Sequence, residues 1–418
     1  MSQNETPWTD GLEYAAISDV GLMRANNQDA LTVSLARNEK QWRRQGHLFL
    51  VADGMGAHRA GELASQMAVD LTSGRYRRTR FSAPPSALVG AIEAANNRIY
   101  YHGQAKEECR GMGTTLSALL LLPEGAVVGH VGDSRVYRVR GAQIEQLTFD
   151  HSLAWEISAA EGYPYGEAPD YVPRNVVTRS VGPHLDVKVD LEGPYPLQIG
   201  DTFLLCSDGL SGLLDNKEIG AVLRCFSPTK AARVLVDLAL VRGGTDNITV
   251  LVVQVAGPEL LESPEAEDSE VHSRPWLQYF AWAALAVLLL TGLGSLAAGH
   301  RLAAIVQLVL AVAAGVGALV PHYRRLWPAR RFAAQKLGKG PYASVDCTPD
   351  ESFIGVLNET LEQLQQIAVN EGRRDEFCPL QEYIDRAAAA LQQDDHTEAV
   401  REYCRAVSFA VGKLTNRQ

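Results

Sequence analysis

The chain has 418 residues, 46% of them hydrophobic and 21% charged, with a net charge of -10 and a pI near 5.5. That length predicts two or three units, and the acidic balance argues against a general nucleic-acid binder. Six scattered cysteines with no Cys-x-x-Cys pair indicate neither a disulfide framework nor a zinc site, and fit reduced cytosolic thiols.

In chain order, the polar stretch Met1 to Asp10 carries no signal-peptide pattern and is expected to fray. Residues 12–18 and 30–35 read as short strands flanking the turn Arg24–Asp29. Leu48-Phe49-Leu50-Val51-Ala52-Asp53-Gly54-Met55-Gly56 reads as a buried strand running into a turn. Residues 60–73 and 86–102 have apolar residues at helical spacing. Residues 115–123, 126–131, 135–140 and 143–148 read as meander strands. Residues 149–180 are less regular and read either as a plain connecting loop or as a loop over a site. Asp186 to Asp201 reads as strand and turn, and 229–242 as a helix.

Further along, Pro258 to Pro275 is crowded with Glu and Asp and reads as a solvated linker. Trp276 to Gly299 and Leu302 to Val320 carry no charged side chain, and each is long enough to span about 30 Å of hydrocarbon. They predict a two-helix membrane hairpin over 276–320, with aromatic residues at its ends and small residues between its helices. The basic residues Arg324, Arg325, Arg330, Arg331, Lys336 and Lys339 then place both flanking units in the cytoplasm, on a multi-pass protein of the cytoplasmic membrane. Residues 348–418 read as a small all-α unit, opened by a capping box at Thr348-Pro349-Asp350-Glu351 and closed in its first helix by Gly372. It is either a stabilising bundle or a surface for a protein partner.

The chemistry lies where apolar runs meet aspartates. Asp53-Gly54, Asp133 after Val127 to Gly132, Asp208-Gly209 after Leu204 to Ser207, and Asp246-Asn247 before Ile248 to Val255 repeat one device. Carboxylates gathered at strand ends repel one another unless a cation neutralises them. Oxygen donors without His or Cys favour Mg2+ or Mn2+. Such ions can hold and polarise a water for in-line attack on phosphorus, and a guanidinium can hold the phosphate.

Ser18 to Asp29, with Arg24 inside it, supplies that guanidinium. Together with Asp53 to Ser65, Gly111 to Thr115, Gly132 to Arg135, Asp150-His151-Ser152, Asn175 to Arg179, Ser207 to Leu210 and Gly243 to Thr249, it makes eight motifs in order over about residues 10–256. On these the chain resembles bacterial members of the PP2C (PPM) family of metal-dependent serine/threonine protein phosphatases. The resemblance implies an α+β sandwich of two antiparallel sheets flanked by helices, with two or three Mn2+ or Mg2+ ions at one end. It implies that Asp53 bridges two ions, that the Gly54 carbonyl helps bind one, and that Asp208 and Asp246 complete the other. Asp133 would join Asp208 around a third ion. Arg24 would bind the substrate phosphate, while Gln28, Asp29 and Asn247 support the ligands. Three departures stand out: Gln28 replaces a usual Glu, removing one negative charge, Met55 stands where many eukaryotic members carry His, and Ala57 replaces a common glycine. His151 reads as a packing or hydrogen-bonding residue.

The sequence thus predicts a phosphatase domain over 10–256, an acidic linker 257–275, the hairpin, a basic segment 321–347 and the helical unit 348–418. Its expected activity is hydrolysis of phosphoserine and phosphothreonine on proteins, at the membrane. The alternative is a catalytically weak phosphatase fold that senses or recruits phosphoproteins, for which Gln28 is the support.

Overall fold

Two antiparallel sheets stacked face to face hold the centre of the structure, a computed structural model that describes residues 8–56, 60–79, 82–164, 167–169, 171–261, 275–302, 305–312 and 336–415. The strands are β1 (Leu12–Asp19), β2 (Asp29–Ser34), β3 (His47–Met55), β4 (Gly113–Thr114), β5 (Leu116–Leu122), β6 (Gly125–Val131), β7 (Arg135–Arg140), β8 (Gln143–Gln146), β9 (Asp190–Tyr195), β10 (Thr202–Cys206), β11 (Ile248–Val255) and β12 (Ala343–Asp346). One sheet runs β1-β11-β10-β7-β8-β12; the other runs β2-β3-β5-β6-β9, with β4 on β3. The helices are α1 (Glu39–Gln45), α2 (Ala60–Arg78), α3 (Pro84–Ala105), α4 (Leu153–Glu161), α5 (Asp208–Ser211), α6 (Asn216–Cys225), α7 (Pro228–Val241), α8 (Pro275–Ala297), α9 (Glu351–Asn370), α10 (Leu380–Gln392) and α11 (His396–Leu414).

Central strands covered on both faces become unbroken apolar runs. On β10 and β11, Phe203, Leu205, Leu251 and Val253 meet Phe49, Val51, Leu119 and Val128 of the other sheet. The alternate residues Leu204, Cys206, Val250 and Val252 pack outward under α6 and α7. Helices α2 and α3 cover the second sheet, and α3 comes close: a Cβ on Gly129 would lie 2.9 Å from Leu88 Cδ2.

Most elements lie within a residue or two of their expected bounds. Helices α1, α4, α5 and α6 and strands β4 and β12 are not among the expected elements. Helix α6 nevertheless has a full capping box, Asp215 with Glu218, and α4 has Ser152 as N-cap with Gly162 at φ 79° closing it. Helix α9 begins at Glu351, with Asp350 rather than Thr348 as its cap.

The chain divides into two compact units, one made of 1–261 with 335–418 and the other of 262–334. Residues 348–418, expected as a unit of their own, share a hydrophobic cluster with α6 and α7 that includes Val222, Leu235, Leu357, Val400 and Val407. Strand β12 extends the first sheet by pairing with β8. Glu192 on β9 accepts hydrogen bonds from Gly340 N (2.8 Å) and Tyr342 Oη (2.6 Å), so one short segment ties the edges of both sheets together.

The expected membrane placement needs correction. Among the described residues no helix is long and apolar enough to cross a membrane, which overturns the multi-pass localisation. Absence of charge was the signal, but α8 also holds Thr291, Gly292, Gly294 and Ser295, and Ser295 Oγ bonds Gln307 Oε1 at 3.0 Å. Most of the second uncharged run and the basic residues Arg324 to Arg331 lie outside the described residues.

Candidate active site

Strand pairing brings the expected aspartates to one end of the sandwich. Asp29 opens β2 directly opposite Asp53 on β3. Asp19 ends β1 opposite Ile248, which opens β11 just after Asp246 and Asn247. Cys206, two residues before Asp208, pairs with both Val250 and Arg135, so Asp133 reaches the same end.

Side chains join the two sheets there. Ser207 Oγ donates to Asp29 Oδ2 (2.7 Å) and accepts from Thr249 N (2.9 Å). Thr115 Oγ1 accepts from Asp53 N (2.8 Å) and pairs with Ser134 Oγ at 2.7 Å. Asn247 is a hub: its Oδ1 accepts from Gln28 N (2.8 Å), and its Nδ2 donates to Val20 O and Asn26 O. It shapes the loop that carries Arg24. The Gln28 carbonyl accepts from Gly54 N (3.1 Å) and Ser65 Oγ (2.6 Å), so Gln28 links β3, α2 and Asn247 through its backbone. Gly54 must be glycine here: a Cβ would collide with the Gly61 carbonyl and lie 2.5 Å from Gln28 O.

The charges are crowded. Burial raises Asp29 to about 6, Ser207 and Thr249 opposing it and Asp208 and Asp246 adding to it. Burial, then the charges of Asp29, Asp208 and Asp133, holds Asp53 well above the usual carboxylate range. Burial and Asp208 lift Asp133 to about 7. Asp208 is raised by burial too, with the charge of Asp246 adding to it. Arg24 Nη2 donates to Asp246 Oδ2 at 2.6 Å, and this bond raises the guanidinium's proton affinity further. Half of the Arg24 side chain remains exposed.

These groups fit a hard cation in donor chemistry. Asp29 Oδ1 and Asp208 Oδ1 are buried oxygens with no hydrogen-bond partner among the described residues. Among the described residues no three Asp, Glu, His or Cys side chains gather tightly enough to form a ready ligand set.

Beside this cluster, His151 ties the irregular stretch to the Asp133 turn. Its Nδ1 accepts from Gly132 N (2.9 Å), and its Nε2 lies 2.9 Å from Asp190 Oδ2 and 2.8 Å from Arg179 Nη1. His151 and Arg179 outweigh the burial of Asp190 and hold it at about 2. The ring stacks on His130 at 4.9 Å. Arg135 bonds the buried Asp150 (2.8 Å), a pairing that sequence reading assigned no role.

The family model described as Protein phosphatase 2C matches residues 24–238. Protein phosphatase PhpP of Streptococcus pneumoniae is 35% identical over 248 residues, 58% of this chain and 98% of its own length. The serine/threonine phosphatase stp of Listeria innocua is 35% identical over 242 residues, 57% of this chain and 93% of its own. The Mycobacterium tuberculosis serine/threonine phosphatase PstP/Ppp superposes with a TM-score of 0.51 at 33% identity, covering 59% of this chain and 99% of that one. A catalytic domain of PstP with the same figures was solved in complex with two manganese ions. With motifs, sheet order and comparisons in agreement, the chain belongs to the protein phosphatase 2C family of serine/threonine phosphatases.

Proposed function

We propose that residues 10–256 hydrolyse phosphoserine and phosphothreonine on proteins with the help of divalent cations. The observation that supports this reading is the strand register, which carries Asp29, Asp53, Asp133, Asp208 and Asp246 toward one end of the sandwich, where Arg24 bonds Asp246. Asp53, Asp208, Asp246, Asp133 and the Gly54 carbonyl would hold Mn2+ or Mg2+, and the manganese in PstP favours Mn2+. Bound cations would offset the crowded negative charge and polarise a water for in-line attack. Arg24, half exposed and anchored on Asp246, would grip the phosphate through the rest of its guanidinium fork. Asp29, held by Ser207, and Asn247, holding the Arg24 loop, keep the acidic and basic halves in register.

A second reading, a catalytically weak phosphoprotein recruiter, rests on one observation: the neutral Gln28 beside Gly61 where the family usually has Glu. A single assay separates the two. Phosphate release from a phosphothreonine peptide is measured across a Mn2+ titration, for wild type and Asp53→Asn. Metal-dependent turnover at least about a thousandfold above the Asp53→Asn background is expected, several kcal/mol of transition-state stabilisation. Equal rates would sink the phosphatase reading in favour of the recruiter.

A further inference from the structure

Away from the aspartates, α7, the C-terminal helices and Ile17 of β1 border an open groove of about 550 Å³ within the first unit. Its apolar part is Phe226, Tyr383 and Phe409 with Ile17 and Val234, and its charged part is Lys230, Arg233 and Arg405. No carboxylate lines it, on a chain whose net charge is -10. Arg405 is already paired with Glu402 and Glu398, whereas Lys230 and Arg233 are exposed, with no ion pair among the described residues.

Two further features point to an anionic guest. Lys230 stands in the first turn of α7, a helix of 14 residues whose N-cap, Ser227, makes no side-chain capping bond. First-turn N–H groups lack acceptors within the helix, and the helix dipole adds positive potential there. Ser408, also lining the groove, has a buried hydroxyl with no hydrogen-bond partner among the described residues. The aromatic walls give such a guest an apolar anchor. Ile17 lines the same groove and lies two residues before Asp19, about 7 Å along β1 from the strand end that leads to Arg24.

We propose that this groove docks an acidic peptide segment bearing a bulky apolar side chain, carried by the phosphoprotein that the aspartate site hydrolyses. The proposal rests on the phosphatase reading for its substrate. Lys230, Arg233 and the α7 N-terminus hold the carboxylates, and the aromatic residues take the apolar side chain. Docking of this kind lowers KM for one class of phosphoprotein without touching the chemistry.

The test uses the full chain and the paired variant Lys230→Glu/Arg233→Glu, both positions being exposed. Three substrates are compared: p-nitrophenyl phosphate, a short phosphothreonine peptide, and the same peptide extended by a tail of Asp, Glu and Leu. The variant is expected to raise KM for the tailed peptide about tenfold, with kcat and the other two substrates unchanged. The wild-type preference for the tail should fade as salt rises. An unchanged KM for the tailed peptide, or an equal shift for both peptides, overturns the proposal. Anisotropy titration of the labelled, unphosphorylated tail reads docking without catalysis. Binding that the variant loses supports the site, and no binding to wild type overturns it even where p-nitrophenyl phosphate is hydrolysed. Failure to hydrolyse p-nitrophenyl phosphate counts against the phosphatase reading alone. A self-associated wild-type chain that the variant dissociates in sedimentation would assign the groove to a second copy and overturn the peptide.

Discussion

Single side chains at the acidic end oppose folding unless something offsets them. Asp29 and Asp133 take up protons in the fold at about 6 and 7, above their ordinary 3.8. The folded chain therefore binds these protons more readily than the unfolded one, and the stability they support at low pH is lost as pH rises from about 4 to 7. A cation that binds only the folded site reverses that loss. Excess Mn2+ should therefore raise the melting temperature by several degrees at pH 7.5 and by little at pH 5. Asp53→Asn should melt higher than wild type without metal and respond less to Mn2+. Equal Mn2+ responses at the two pH values would argue against a carboxylate-held ion. Two histidines act with the opposite sign. Burial lowers both His47 and His130 from 6.5 to about 3. The unfolded chain takes up those protons first, so the stability that is full above 6.5 is lost as pH falls from 6.5 to 3. His47 Nδ1 accepts from Ala36 N at 3.0 Å, a bond that an asparagine oxygen can replace. His47→Asn should therefore flatten the fall of the urea midpoint between pH 6.5 and 4.5. A slope matching wild type would mean that His47 is not held neutral.

At the scale of elements, sequence legibility followed burial and spacing. The strands ending in Asp53, Asp208 and Asp133 could be read because apolar runs of strand length stop at an aspartate, and register then fixes which aspartates meet. Helix α6 was missed although Asp215 and Glu218 announce it, because it lies between the Asp208 motif and a longer apolar helix. Strand β12 could not be read: Ala343–Asp346 has alternating half-buried residues and exists only because β8 offers an edge. The ion pair of Arg24 with Asp246 spans 222 positions and has no local signal. Close approach between elements also escapes periodicity, since it is set by what a Cβ would strike. Where β3 meets the first turn of α2, Gly54→Ala forces the Gly61 carbonyl away and should cost at least about 2 kcal/mol, along with turnover. Gly90, within α3, has open space about its missing Cβ, so Gly90→Ala should stabilise by about 0.5–1 kcal/mol. Urea midpoints of the two variants check the contrast, and a similar loss in both would show that helix–strand clearance is not the controlling factor.

For the whole molecule, the C-terminal helices are part of the phosphatase unit's core. The match to PhpP covers 98% of that protein with 58% of this chain, so the family fold needs no counterpart of residues 336–415 there. Here the outer side of α6 and α7 is built to be covered. Gly220 lies against Cys347, a Cβ on it being 2.9 Å from the Cys347 sulfur, and the Cys225 carbonyl accepts from Arg401 Nε at 2.8 Å. Lys217 pairs with Asp350, and Leu357, Val400, Val407 and Val411 join the cluster that holds Val222 and Leu235. A chain ending at residue 261 would expose that apolar surface to water at about 25 cal/mol per Å². It should unfold at lower urea than the full chain, bind a hydrophobic dye and aggregate on warming, even though the aspartate end is intact. Supplying residues 335–418 as a separate polypeptide should restore the midpoint in part, since burial rather than chain connectivity does the stabilising. An unchanged midpoint without them would mean that α6 and α7 tolerate water as the shorter relatives' folds must, and that the C-terminal helices merely rest on a finished domain.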